Sequence, residues 1–289
     1  MQGAIKTRAR TSRQSLGAIL VDAGRLDAVD AERVAQLQKE TGLRFGDAGI
    51  ELGMVNKGDI DFALARQYDY PYLHDAAADR VSSELVAAVE PFSAAVESLR
   101  ALRSQLMLRW FSLAENGRVL AVIGPQRGDG RSRLIANLAI VFSQLSQRTL
   151  LIDADLRHPR QHELFGLGNS NGLSSVLSGR RQLDSIQRVE HFANLSLLTS
   201  GPSAPNPQEL IGRGIFAEML DGFDSEFDVV LIDTPAGNLY ADAQMLGVLS
   251  GGAIMAVRRN HTSLSDAGRM ATGLERHGVQ MLGAVLNEF

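Results

Sequence analysis

Val119-Leu120-Ala121-Val122-Ile123-Gly124-Pro125-Gln126-Arg127-Gly128-Asp129-Gly130-Arg131-Ser132 is the stretch whose reading decides the fold. Five apolar residues of strand type run into a glycine-rich turn, and the turn opens a helix-like segment from Arg133 to Gln147. Gly128 and Gly130 let backbone N–H groups crowd around an anion. The helix N-terminus adds its partial positive charge, and Ser132 stands where a hydroxyl ligates Mg²⁺. This is the build of a phosphate cradle. It departs from the pattern Gly-x-x-x-x-Gly-Lys-Ser/Thr at two places, with Arg131 for the lysine and Pro125 for the first glycine. Taken alone, the stretch also admits a plain strand-turn-helix.

Two further segments narrow the choice. Thr149 to Asp153, continuing to Asp155 and Arg157, and Phe227 to Asp233, continuing to Pro235, each read as a buried strand ending in a carboxylate. A lone Asp at a strand end is commonly a helix cap or turn former. In a parallel α/β sheet, however, ligands collect outside the C-terminal ends of the strands. Three such strands therefore bring the loop, Asp153, Asp155 and Asp233 to one crevice. The expected fold class is an α/β P-loop NTPase, with a mainly parallel sheet flanked by helices and a small, mostly helical domain in front.

From Glu97 onward the chain resembles the cytoplasmic domain of the bacterial tyrosine kinases (BY-kinases), relatives of the MinD/ParA P-loop ATPases. The resemblance rests on Glu97-x-x-Arg100-x-x-Arg103, the loop above, Ile152 to Asp155, Gly201 to Leu210, Leu231 to Pro235, Asp242, and Gly283 to Asn287, in that order. It implies phosphoryl transfer from Mg·ATP to a tyrosine hydroxyl. Gly128, Asp129, Gly130, Arg131, Ser132 and Arg133 then line the nucleotide phosphates, and Asn287 reaches the base. Ser132, Asp153 and Asp233 hold the metal or its waters, Asp155 orients the acceptor, and Arg131, Asp153, Asp155 and Asp233 form the catalytic set. It also implies that Glu97, Arg100 and Arg103 join subunits in a ring; an ordinary charged helix face is the alternative. Arg131 keeps the charge of lysine, but its planar fork is bulkier than an ammonium. Arg133 replaces the small hydroxyl residue frequent after the metal-binding position. The chain stops at Phe289, where many BY-kinases continue into a tyrosine-rich tail; its four tyrosines are Tyr68, Tyr70, Tyr72 and Tyr240.

An internal repeat occupies the front of the chain. Ser15 to Gln38 aligns with Arg44 to Gln67 at a constant offset of 29 residues, matching Gly17 with Gly46, Gly24 with Gly53 and the closing glutamines. Each copy reads as a short helix, a glycine turn and a second helix, with Asp27 and Asp30 as caps in the first. A plain helical adaptor satisfies this pattern. The layout also resembles the N-terminal domain of MshE-type secretion ATPases, which implies cyclic di-GMP as a ligand of Gly17, Gly24, Arg44, Gly46, Asp47 and Gly53. Ser15 stands where that family has arginine, and Gly49 where it has leucine. The expected organisation is a repeat domain over 1–75, a linker over 76–96 broken at Pro91, and a kinase-like domain over 97–289.

Composition fits this division. Of 289 residues 45% are hydrophobic and 21% charged, an ordinary globular balance, and a net charge of −4 argues against a nucleic-acid coat. There are no cysteines, which excludes disulfide and thiol chemistry. No apolar run approaches the roughly 20 residues of a membrane helix, and Met1 to Arg10 lacks the apolar core of a signal peptide. A cytoplasmic protein is expected, and the resemblance to BY-kinases implies recruitment to the inner face of the plasma membrane by a polysaccharide co-polymerase or activator protein. The Gln126-to-Ser132 loop resembles the EpsG-like chain-length-determinant kinases of exopolysaccharide clusters. Two other readings stand beside a kinase: a regulator that binds ATP and cyclic di-GMP and signals by assembly, and a ParA/MinD-type positioning ATPase.

Overall fold

A computed structural model of the protein describes residues 14–68, 73, 78, 80–112, 117–180 and 185–288. Tyr70, Tyr72, the segment Met1 to Arg10, the start of the expected linker and Phe289 lie outside the described residues. The chain divides into two compact units, Met1–Tyr72 and Leu73–Phe289.

The first unit is helical and carries the repeat as four helices: α1 (Leu16–Asp22), α2 (Ala28–Thr41), α3 (Phe45–Glu51) and α4 (Lys57–Gln67). Gly24 and Gly53 close α1 and α3 with φ of 68° and 67°, a left-handed turn that glycine adopts without strain. Ser15 caps α1 through its hydroxyl, and Asn56 and Asp59 form a reciprocal capping box on α4. Asp27 stands at the N-cap of α2 but makes no side-chain cap, and Asp30 pairs with Arg33 instead. The capping expected of these two carboxylates is therefore not realised. α1 packs on α4 and α2 on α3 around Leu20, Val34, Val55 and Phe62. Arg25 adds an ion pair to Asp59 at 2.9 Å and lies 4.3 Å over the Phe62 ring.

The second unit is a doubly covered sheet. In chain order its elements begin α5 (Val86–Val89), α6 (Ala94–Leu106), β1 (Val119–Ile123), α7 (Arg131–Ser143), β2 (Thr149–Asp153), α8 (Gln161–Leu164) and α9 (Leu173–Leu177). They continue with β3 (Gln187–Arg188), β4 (Leu195–Leu198), α10 (Pro207–Ile211), α11 (Gly214–Gly222), β5 (Val229–Asp233), α12 (Asp242–Ser250), β6 (Gly252–Arg258), α13 (Leu264–Arg276) and β7 (Gln280–Asn287). The strand order is β3-β4-β2-β5-β1-β6-β7, parallel except for β3 against β4. Alternation along β1 explains the two layers. Leu120 and Val122 join one core with α5, α6 and α7, while Ala121 and Ile123 join another with α11, α12 and α13. Trp110, on a π-turn after α6, donates Nε1–H to the Val119 carbonyl at 3.0 Å. Its ring lies where a Cβ on Gly252 would approach to 2.5 Å.

The segment read as a linker is partly structural. Leu85, Ala87 and Ala88 are fully buried. The Asn137 side chain of α7 accepts from Ala87 N–H at 2.8 Å and donates to the Glu84 carbonyl at 2.9 Å. Small residues that look like a flexible spacer in sequence are small here because a helix sits against them; α5 does end just before Pro91, as expected.

Candidate functional site

The phosphate-loop residues, Asp153, Asp155 and Asp233 stand at the C-terminal rim of β1, β2 and β5. The β1 loop is built on left-handed glycines, Gly128 at φ 83° and Gly130 at φ 87°, a backbone that L side chains rarely adopt. Gly124 has a different reason: a Cβ there would lie 2.8 Å from the Ala256 carbonyl of β6.

Asp129 holds the loop together. Its carboxylate is fully buried and accepts from Gln126 N–H at 2.7 Å and Thr262 Oγ1–H at 2.6 Å. Both oxygens of the Asp129 side chain, expected to meet the cofactor, are engaged inside the protein. Asn287, at the end of β7, donates from Nδ2 to the Asp129 carbonyl at 2.7 Å, so its amide nitrogen braces the same loop. Thr262 has no signal in the sequence, since it is distant in the chain and belongs to no motif.

Arg131, at the start of α7, is buried and turned back on the loop. Its Nε donates to the Thr234 carbonyl at 2.9 Å, and its Nη1 to the Gly124 and Gln126 carbonyls at 3.3 and 2.5 Å. Burial lowers its pKa, opposed by the charges of Asp233, Asp155 and Asp129. No lysine ammonium could bridge three carbonyls around a planar fork in this way.

Asp153 and Asp233 end adjacent parallel strands and are direct register partners. Both are fully buried. Asp153 Oδ2 accepts from the N–H groups of Arg160 and Gln161 at 3.1 and 2.9 Å; Asp233 Oδ2 accepts from Gln161 Nε2 at 2.7 Å. The Ser132 hydroxyl is near enough to Asp233 to favour its charged form. Desolvation, reinforced by Asp233, holds Asp153 well above the usual carboxylate range. The same burial pushes Asp233 up to about 6 against the hydrogen bond from Gln161 and the nearby Ser132 hydroxyl. Oδ1 of each carboxylate, together with Gln161 Oε1, is buried without a partner. An unsatisfied buried acceptor costs about 1–3 kcal/mol, more when charged.

This donor set fits a hydrated divalent cation: a hydroxyl, two carboxylate oxygens and an amide oxygen, all hard. Among the described residues no group of three His, Cys, Asp or Glu is arranged to hold a metal.

Beside these groups lies a cavity of about 270 Å³ lined by Gly128, Gly130, Arg131, Ser132, Arg133, Asp155 and Tyr240 among others. Asp155 Oδ1 accepts from Arg157 and His158 N–H at 3.1 and 2.9 Å. Arg157 pairs bidentately with buried Asp242 at 2.7 and 3.2 Å, and its guanidinium stacks 3.9 Å over the Tyr240 ring. A second cavity of about 370 Å³, mostly apolar, shares Arg133 and runs between α6, α7 and the end of β7, with Asn287 in its wall. The structure thus gathers Gly128, Gly130, Arg131, Ser132, Arg133, Asp153, Asp155 and Asp233 and puts Asn287 against the loop.

Glu97, Arg100 and Arg103 sit apart from the cavity of the phosphate loop, on α6. Arg100 donates to Glu97 at 3.1 Å and to the Pro91 carbonyl at 2.6 Å, while Arg103 donates to the Val141 carbonyl at 2.7 Å. In the first unit Gly17 lies under the Phe45 ring, which a Cβ would approach to 2.9 Å, and a Cβ on Gly46 would come within 3.2 Å of Ile60. Packing and turn geometry thus account for Gly17, Gly24, Gly46 and Gly53 without a ligand, while Arg44 and Asp47 are exposed.

No protein-family model matches the chain. Over 205 residues, 71% of its length, it is 35% identical to the tyrosine-protein kinase Wzc of Salmonella typhimurium, of which it spans 28%. Over 208 residues it is 33% identical to the tyrosine-protein kinase YwqD of Bacillus subtilis, covering 72% of this chain and 87% of that one. The solved kinase domain of Escherichia coli tyrosine kinase ETK superposes with a TM-score of 0.67 at 28% identity, covering 78% of this chain and 92% of the domain.

Proposed function

The chain belongs to the bacterial tyrosine-protein kinase family, and from that premise we propose that it transfers phosphate from Mg·ATP to tyrosine in the control of exopolysaccharide chain length, polymerisation and export. One observation carries the reading: two register-paired carboxylates with unpaired buried oxygens lie at the same rim as Ser132 and a loop of left-handed glycines. Phosphoryl transfer asks a protein for positioning and charge neutralisation more than for covalent chemistry. Loop N–H groups around Gly128 and Gly130 bind phosphate oxygens, with Arg131 and Arg133 adding positive charge. Ser132, Asp153 and Asp233 hold Mg²⁺ or its waters; when bound, the ion neutralises charge on the phosphate oxygens. Asp155, with one oxygen engaged by the turn, orients the tyrosine hydroxyl through the other. The apolar cavity beside Arg133 and Asn287 suits an adenine ring.

The proposal includes an EpsG-like place in the family. It also includes recruitment to the inner face of the membrane by a co-polymerase or activator, since among the described residues no helix is long and apolar enough to cross a membrane. Ring assembly through Glu97, Arg100 and Arg103 would require the two arginines to exchange intramolecular acceptors for a neighbour's. The MshE-like repeat would offer exposed Arg44 and Asp47 to cyclic di-GMP. Incubation with Mg·ATP and the membrane partner, followed by mass spectrometry for phosphotyrosine, tests the main reading: transfer is expected, and Asp153→Asn abolishes it. Nucleotide binding without transfer would instead support a regulator that signals by assembly, a reading favoured by the carbonyls that hold Arg131 back.

A further inference from the structure

Gln161 belongs to no motif, yet it touches the groups around both carboxylates. It opens α8 with its side chain fully buried. Its main-chain N–H donates to Asp153 Oδ2 at 2.9 Å, and its Nε2 donates to the Ser132 carbonyl at 3.0 Å and to Asp233 Oδ2 at 2.7 Å. A primary amide carries two N–H groups, and both are engaged. Turning the amide over would press Oε1 against two acceptors, so its orientation is fixed. Oε1 is then left buried with no donor, as are Asp153 Oδ1 and Asp233 Oδ1. Three buried acceptors without a donor, on one register-paired carboxylate couple and the amide bonded to it, call for something that brings both positive charge and O–H groups. A divalent ion with its water shell does so.

We propose that Gln161 is a positioning residue for hydrated magnesium: its amide N–H groups hold Asp233 and the Ser132 turn in place, and its Oε1 accepts from a water of the ion's shell. The assignment rests on the nucleotide-site reading above. Groups that orient metal ligands through hydrogen bonds are commonly worth about 10–100-fold in metal affinity.

Calorimetry of ADP binding to the full chain, once with Mg²⁺ and once with EDTA, tests it. Gln161→Met keeps the length and burial but removes the amide. Its metal-free ADP affinity should stay within about twofold of the parent, while the enhancement by Mg²⁺ falls about 10–100-fold. Gln161→Asn, which keeps an amide too short to reach Asp233, should lose the enhancement in the same direction, and it decides the matter if the Met variant does not fold. A folded variant with the parent's Mg²⁺ enhancement overturns the proposal. So does an equal fall in both affinities, which marks a merely structural glutamine. If the parent itself binds no adenine nucleotide, the kinase reading fails; if the parent binds and the variants behave like it, the Gln161 assignment alone fails.

Discussion

Asp233→Asn should stabilise the metal-free protein while removing its response to Mg²⁺. Asp233 is buried beside Asp153, and its pKa stands at about 6 against 3.8 unperturbed. A rise of roughly 2 units, at 1.36 kcal/mol each, means that ionising this side chain opposes folding by about 3 kcal/mol at neutral pH. The sign follows from linkage. Above pH 6 the unfolded and folded chains both carry the charge and the folded one bears its cost. As pH falls below 6 the folded chain takes up the proton first, and the cost shrinks progressively until the unfolded value of 3.8 is passed. Asp153, also raised, acts in the same direction, so the titration belongs to the pair. Asparagine has the same shape and can still accept from Gln161. For a unit of about 200 residues, 1–3 kcal/mol corresponds to roughly 3–10 °C in Tm. Scanning calorimetry in EDTA should therefore show the parent melting higher at pH 5.5 than at 7.5, the variant melting higher than the parent at 7.5, and a weaker pH dependence in the variant. Adding Mg²⁺ to the ADP complex should raise the parent's Tm further and leave the variant's nearly unchanged. A parent that loses stability between pH 7.5 and 5.5, or a variant that melts lower at 7.5, would refute the account of the paired carboxylates.

Two other outcomes follow from the packing. Arg131→Lys exchanges three carbonyl contacts for at most one or two and should cost about 1–3 kcal/mol in urea unfolding; an unchanged midpoint and slope would show that the carbonyls are satisfied without the guanidinium. Gly252→Ala drives a methyl into the Trp110 ring and should destabilise by about 1–3 kcal/mol, with a red shift in the fluorescence of the single tryptophan; an unshifted spectrum at full stability would contradict the contact.

Much of this was legible from residues alone. Continuous apolar runs over Val119–Ile123, Thr149–Asp153 and Val229–Asp233 read directly as buried parallel strands, because both faces of each must be covered. Gly24, Gly53, Gly128 and Gly130 declare turns since a positive φ is a local backbone demand. What a polar side chain does with its hydrogen bonds is not local. Arg131 reads as a phosphate contact, and its guanidinium is held by carbonyls from two loops; Asp129 reads as a ligand, and its carboxylate braces the loop; the small residues near Ala87 read as a linker and prove to be packed against α7. Gln161 is silent in the sequence because Asp233 lies 72 residues away from it. The chain's pattern determined which strands exist and which end in acid, since burial and backbone sterics act within a few residues. Only the assembled sheet decided which acids meet, which donors satisfy them and which oxygens stay unpaired, because desolvation and hydrogen bonding depend on neighbours that the linear order keeps apart.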